Sequence, residues 1–178
     1  MNISEKDLEK ELTAGRKKSA KPMLWVSMIS MVMFFAGLTS AYVISMRRDD
    51  WVTFDLPDAF YMSTILIILS SITISMSQRF IKKGKRELSI VLLIITFLLG
   101  IAFVWQQYAG FEDLRNSGLF FTGPTSTVST SFIIGISLMH AFHVFAGIIV
   151  LLVVIYNHFK YKYTSDDLLG FELGAIFW

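Results

Sequence analysis

Two histidines, His140 and His143, stand three residues apart inside the apolar run 138–152, a spacing that places both imidazoles on one face of a helix. Gly147 continues that face by one further turn. Paired imidazoles suit either ligation of a metal or haem iron, or hydrogen bonding to polar partners inside a helical bundle. A haem held between two histidines needs them on facing helices. All three histidines of this chain, His140, His143 and His158, belong to one helix or its end. A self-contained bis-histidine haem site is thereby excluded, a haem shared with another subunit stays open, and hydrogen bonding within the bundle or to a partner is the preferred reading.

The elements that must carry these side chains cross a membrane. Of 178 residues, 54% are hydrophobic and only 17% charged, with a mean hydropathy of +0.58. Apolar runs of this length span a bilayer, where every backbone polar group needs an internal partner, so helices or a closed barrel are the only solutions. The runs lack period-2 alternation, which selects helices. The expected fold is all-α: a polytopic transmembrane bundle with spans at 22–46, 57–77, 88–108 and 131–156 and a fifth beginning near Leu168. Pro22 is expected to open the first span, leaving 1–21 as a polar tail of mixed charge and 22–178 as the transmembrane domain. From Leu168 to Trp178 a helix reaches only about 16 Å, against a hydrocarbon core of roughly 30 Å. The expectation is four full helices plus the start of a fifth, in a chain that is cut short.

Orientation follows from the basic residues. Lys6, Lys10, Arg16, Lys17, Lys18, Lys21, Arg79, Lys82, Lys83, Lys85, Arg86, Lys160 and Lys162 fall on one side, and only Arg47, Arg48 and Arg115 on the other. Thirteen against three puts the N-terminus in the cytoplasm or matrix and the loop 109–130 outside. Trp25, Trp51, Phe54, Trp105, Tyr108, Tyr156 and Tyr161 fall near span ends, as interfacial anchors do. A pI near 8.8 reflects these topology blocks, so nucleic acid is not an expected partner.

Other chemistry is sparse. With no cysteine there is no disulfide, no cysteine-ligated cluster and no thiolate copper or zinc site. No Asp or Glu lies deep in the first four spans, so neither an intramembrane proton relay nor an acid-base pair is present. Glu172 either meets the histidine stripe or sits at the interface. Gln106 and Gln107 either bond neighbouring helices or reach headgroups, the second being the simpler reading. Gly37 and Ala41 with Ala36 and Ser40, and Thr64, Ser71 and Ser75, read as small-residue packing seams.

Five segments, "SMVMFFAGLTSAYVI" (30–44), "LPDAFYMSTILIILSSITI" (56–74), "LLGIAFVWQQY" (98–108), "LMHAFHVFAGIIVLL" (138–152) and "FELGAIFW" (171–178), together resemble cytochrome c oxidase subunit III and occur in that family's order. The resemblance covers nearly everything after the tail. It implies a non-catalytic subunit of a proton-pumping haem-copper oxidase that passes electrons from cytochrome c to oxygen. It also implies haem a and copper in partner subunits and no cofactor in this chain. Implied partners are subunits I and II and membrane phospholipids, with a larger respiratory supercomplex as an extension; the implied roles are stabilising subunit I and supporting proton uptake. His140, His143, Gly147 and Glu172 match the family's polar seam, Thr64, Ser70 and Ser71 its second-segment signature, and Phe34, Phe35 and Tyr42 its first, as packing or lipid-facing candidates without a catalytic role.

The chain starts at what would be the third helix of the seven-helix mitochondrial form, so it resembles the short five-helix type of the bacterial cytoplasmic (inner) membrane. Where the family commonly has Glu after the serine matching Ser30, this chain has Met31, and no role of that carboxylate transfers. The rivals are subunit III of a quinol oxidase, the accessory subunit of a nitric oxide reductase, and a small membrane transporter. The last predicts broken helices or intramembrane charge, and neither is evident.

Overall fold

The computed structural model describes residues 5–53, 57–118, 126–163 and 168–178. Phe54 and the loop glycine and proline Gly123 and Pro124 lie outside them. The described residues form five helices: α1 (Glu5–Ser45), α2 (Asp58–Lys82), α3 (Arg86–Asn116), α4 (Val128–Phe159) and α5 (Leu169–Phe177). The first four are long and apolar enough to cross a membrane.

One boundary differs in kind from the expectation. Pro22 does not open α1 but sits inside it, and the helix runs back to Glu5. The upstream residues are mostly Glu, Lys, Leu, Ala and Arg, which favour helix strongly enough to carry it past the one hydrogen bond that proline removes. The other long helices outrun their predicted spans by a few residues, most at the far end of α3, where residues 109–116 of mixed polarity continue the helix.

α2 and α3 form an antiparallel hairpin whose turn is set by local chemistry. Gly84 takes φ 73°, Lys85 N–H donates to Phe80 O at 3.0 Å and Gly84 N–H to Ile81 O at 3.0 Å. This double bond pattern closes a helix end around one left-handed residue, the conformation glycine adopts at no steric cost. At its other end α4 begins at Thr127, whose hydroxyl accepts the Thr130 N–H at 3.2 Å.

The hairpin seam has a seven-residue repeat. Ser63, Ser70 and Ser77 of α2 are buried against Ser89, Thr96, Phe103 and Gly110 of α3. Ser77 Oγ donates to Ser89 O at 2.7 Å and accepts from the Ser89 hydroxyl at 3.0 Å. Thr73 and Thr96 hydroxyls pair at 2.8 Å, and Gln107 Nε2 donates to Ser63 Oγ at 2.8 Å. Small residues repeating every seven positions let two helices cross closely, and interhelical hydrogen bonds replace the hydrophobic drive that lipid cannot supply.

Around this hairpin, α4 contacts α3 and α1, while α5 touches α1, α2 and α4. The apolar core lies at one end of the bundle, where Ile74, Ile81, Leu93, Leu151, Val154, Tyr163, Leu168 and Phe171 cluster. That end is shared by Lys21 of α1, Lys82 of α2 and Glu172 of α5, and by the α2–α3 turn and the α4–α5 connection. Up to Trp178, α5 lies at this end of the bundle. Towards the other end the helices enclose a cleft.

Candidate functional site

The cleft, of about 450 Å³, is lined by Ser63, Thr64 and Ile67 of α2, Phe103 and Gln107 of α3, and Ser137, His140, His143 and Gly147 of α4, with Phe177 and Trp178 at its floor. α4 presents His140, His143 and Gly147 on one face, as their spacing of three and four requires. The His140 ring lies edge-on to Phe35 of α1 at 6.2 Å and to Phe103 of α3 at 6.0 Å. His143 is 5.1 Å from the Phe177 ring. A methyl on Gly147 would stand 3.4 Å from Trp178, so the third member of the stripe is the bare surface on which the indole lies.

The two imidazoles are 6.4 Å apart and nearly parallel, 29° between planes. Stacked along one helix, they cannot approach an iron from opposite sides, and the described residues hold no group of three or more His, Asp or Glu able to share a metal ion. Among the described residues the pair forms no self-contained haem or metal site.

Trp178 ties the floor to the hairpin. Its indole N–H donates to Ser70 Oγ at 2.9 Å, and Ser70 Oγ in turn donates to Thr96 O at 3.4 Å. A methyl on Gly100 would come within 2.7 Å of the same indole, so both glycines flanking Trp178 are places where backbone meets ring.

The small residues expected to form a seam on α2 are not those that meet α3. Thr64, Ser71 and Ser75 do not form the hairpin seam. Their hydroxyls return to the carbonyls of Phe60, Ile67 and Ser71 on their own helix, and Ser63, Ser70 and Ser77 take the buried positions. Ser70 therefore lies in the seam, Thr64 borders the cleft, and Ser71 faces outward. On α1 the inward stripe is Met28, Met31, Phe35, Leu38 and Tyr42, half-buried at alternating spacings of three and four, while Phe34 and Gly37 face away. A methyl on Gly37 would meet nothing within 4 Å, so no described residue packs on Gly37, while Ala41 is half-buried. Tyr42 packs on Trp51 at 5.0 Å and Phe132 at 6.4 Å.

Glu172 lies away from the histidine stripe. It bridges Lys82 Nζ at 2.8 Å and Lys21 Nζ, joining α5 to α2 and α1 at the basic end. Hydrogen bonds from Lys21 and then Lys82 hold its carboxyl below the ordinary glutamate range. Gln107 takes the neighbour-bonding role rather than the headgroup one. Ser63, Ser77, Ser89 and Thr96 went unrecognised from sequence, although the seven-residue spacing that marks them is present there.

Residues 3–178 match the family described as cytochrome c oxidase subunit III. The chain belongs to the cytochrome c oxidase subunit III family. It is similar to proteins named cytochrome c oxidase subunit 3 from Neurospora crassa (31% identical over 125 residues, 70% of this chain and 43% of the relative) and Gadus morhua (29% over 120 residues, 66% and 42%). The same name is carried by a relative from Branchiostoma lanceolatum (30% over 121 residues, 66% and 42%). The chain spans less than half the length of these relatives. Seen as a subunit III, its motif residues divide between two places. His140, His143, Gly147 and Thr64 line the cleft, with Phe35 against its wall and Ser70 beneath its floor, whereas Glu172 marks the basic end.

Proposed function

We propose that this chain is the non-catalytic subunit III of a proton-pumping haem-copper terminal oxidase. It packs beside subunits I and II, which hold haem a and copper, in a bacterial cytoplasmic (inner) membrane. The N-terminus and the basic end face the cytoplasm, in keeping with the positive-inside bias. In this reading the subunit holds phospholipid, stabilises subunit I, supports proton uptake, and joins a larger respiratory supercomplex where one forms. The single observation that carries the reading, beside family membership, is how the bundle uses its polar groups. The serine and threonine hydroxyls of the hairpin seam and Gln107 bond one helix to another, which is the pattern of a scaffold and not of a proton or electron path. The many large apolar side chains exposed along all four long helices suit lipid and partner helices alike.

The test is isolation of the chain from its native membrane in a gentle detergent, followed by optical difference spectroscopy and mass spectrometry of co-purifying proteins. Haem a with subunits I and II is expected. A subunit II with the paired cysteines of a dinuclear copper site supports cytochrome c as donor, whereas a subunit II without them assigns a quinol oxidase. A cofactor-free chain with no oxidase partner would overturn the proposal.

A further inference from the structure

At the basic end, α4 stops in an unusual way. Lys162 N–H donates to Asn157 O at 3.1 Å and Tyr161 N–H to His158 O at 3.2 Å, the same closure that Gly84 makes possible in α2. Here, however, the left-handed residue is Tyr161, with φ 57°. A side chain in that conformation is strained and persists only where its surroundings hold it. Arg86 of α3 does the holding. Its guanidinium lies 4.0 Å over the Tyr161 ring and donates to Tyr163 O at 3.1 Å and to His158 O.

Directly inside this clasp is His158, with no exposed surface. Its ring packs between Tyr163 at 6.5 Å and Phe171 of α5 at 6.4 Å. Neither nitrogen has a hydrogen-bond partner among the described residues. The charged groups that face it come from α3, Arg86 and Glu87. Tyr163 is the titratable group of the α4–α5 connection against it, and its hydroxyl is held protonated by burial. α5 presents the uncharged Phe171, since Glu172 turns to Lys21 and Lys82. Asp166 and Asp167 lie outside the described residues. Such a pocket accepts a neutral imidazole. An imidazolium there would bring a second cation beside Arg86 with nothing to receive its two N–H groups.

We propose that the junction of α4 and α5 is a proton-sensitive latch: protonation of His158 opens the Arg86 clasp, relaxes Tyr161 and releases α5 from the basic end of the bundle. The latch closes near neutral pH and opens under acid load. If only the open junction takes the proton, its population rises about tenfold for each pH unit below the ordinary imidazole value near 6.5. Between pH 7.5 and pH 5.0 the gain is roughly thirtyfold.

Hydrogen exchange read by mass spectrometry on the intact complex in native-lipid nanodiscs tests this. After correction for intrinsic rates, peptides covering 156–163 and 168–175 are expected to exchange at least about tenfold faster at pH 5.0 than at pH 7.5, with the rise setting in below about pH 6.5. His158→Gln and, independently, His158→Phe should abolish the acceleration, while Glu172→Gln should keep it. The proposal is overturned by acceleration that survives in a folded His158 variant. It is equally overturned by a wild-type profile that is flat or that begins to rise only below about pH 4.5, where carboxylates titrate. The wild-type profile decides even if a variant fails to assemble.

Discussion

At Gly174 the backbone of α5 lies directly against α4. A methyl placed there would stand 2.5 Å from Val154 Cγ2 and 3.5 Å from Val150 Cγ1. Carbon atoms in ordinary contact are about 3.5–4.0 Å apart, so Gly174→Ala demands a displacement of about 1 Å. Val154 is 3% exposed and belongs to the apolar core, so it has no free direction in which to turn. Overpacking of this kind costs about 1–3 kcal/mol, and the better helix propensity of alanine offsets up to about 1 kcal/mol. A net loss of roughly 1–2 kcal/mol is expected. Val154→Ala alone removes two buried methyls and should cost about 2 kcal/mol. In the double variant the new methyl occupies part of the space the valine vacates, so the two losses should fall short of adding by about 1 kcal/mol or more. Gly37→Ala, where a methyl meets nothing, is the control and should be neutral or slightly stabilising. Equilibrium unfolding in bicelles by a steric-trap assay measures all four. Strict additivity, or a Gly174→Ala variant as stable as the parent, would refute the account of how α5 docks.

Three hydroxyl and histidine changes and one pH profile probe the rest of the bundle. Ser77→Ala and Ser89→Ala each leave a buried hydroxyl short of a partner, and a double-mutant cycle should give a coupling of about 0.6 kcal/mol, within the range for intramembrane bonds. Ser70→Ala should shift Trp178 fluorescence and Ser71→Ala should not, because only Ser70 accepts the indole N–H; equal responses would mean the register is misassigned. His140→Leu with His143→Leu should weaken retention of the chain in its complex while leaving the haem spectrum intact, and loss of one haem per complex would restore a ligand role. Glu172 has its carboxyl lowered by Lys21 and Lys82, so its contribution is full above the unfolded value near 4.3 and is lost as pH falls through the lower folded value. Stability of the parent relative to Glu172→Gln, followed by the same unfolding assay from pH 7 to pH 3, should stay constant to about pH 5 and fall only below it.

The number of long helices was legible because hydrocarbon thickness sets a length that composition reveals directly. The facing of each helix was not. In a soluble helix the buried face is apolar and the exposed face polar, so periodicity orients it. Here Ile65, Ile68 and Ile72 are exposed while Ser63, Ser70 and Ser77 are buried, which inverts the usual contrast and explains why the seam expected at Thr64, Ser71 and Ser75 is not the one that forms. Spacing still held the answer, since serines seven apart on α2 and Ser89, Thr96 and Gly110 in matching steps on α3 mark the seam. The histidine stripe was legible from spacing alone, but its neighbours Phe103, Gln107 and Trp178 come from other helices and no local pattern announces them. The Tyr161 turn left no signal either, because a left-handed tyrosine is held by Arg86 from across the bundle.

Among the described residues, none of the most apolar stretch of α1 is buried, and α1 touches only the helices α4 and α5. During synthesis this matters for timing. The α2–α3 hairpin can close as soon as it emerges, since Ser77 and Ser89 are 12 residues apart. Phe35, by contrast, must wait for His140, which is made on the order of 100 residues later, a delay of roughly 5–20 s at usual translation rates. α1 is therefore made before the hairpin but docks after it, left in lipid as a separate rod until α4 and α5 arrive.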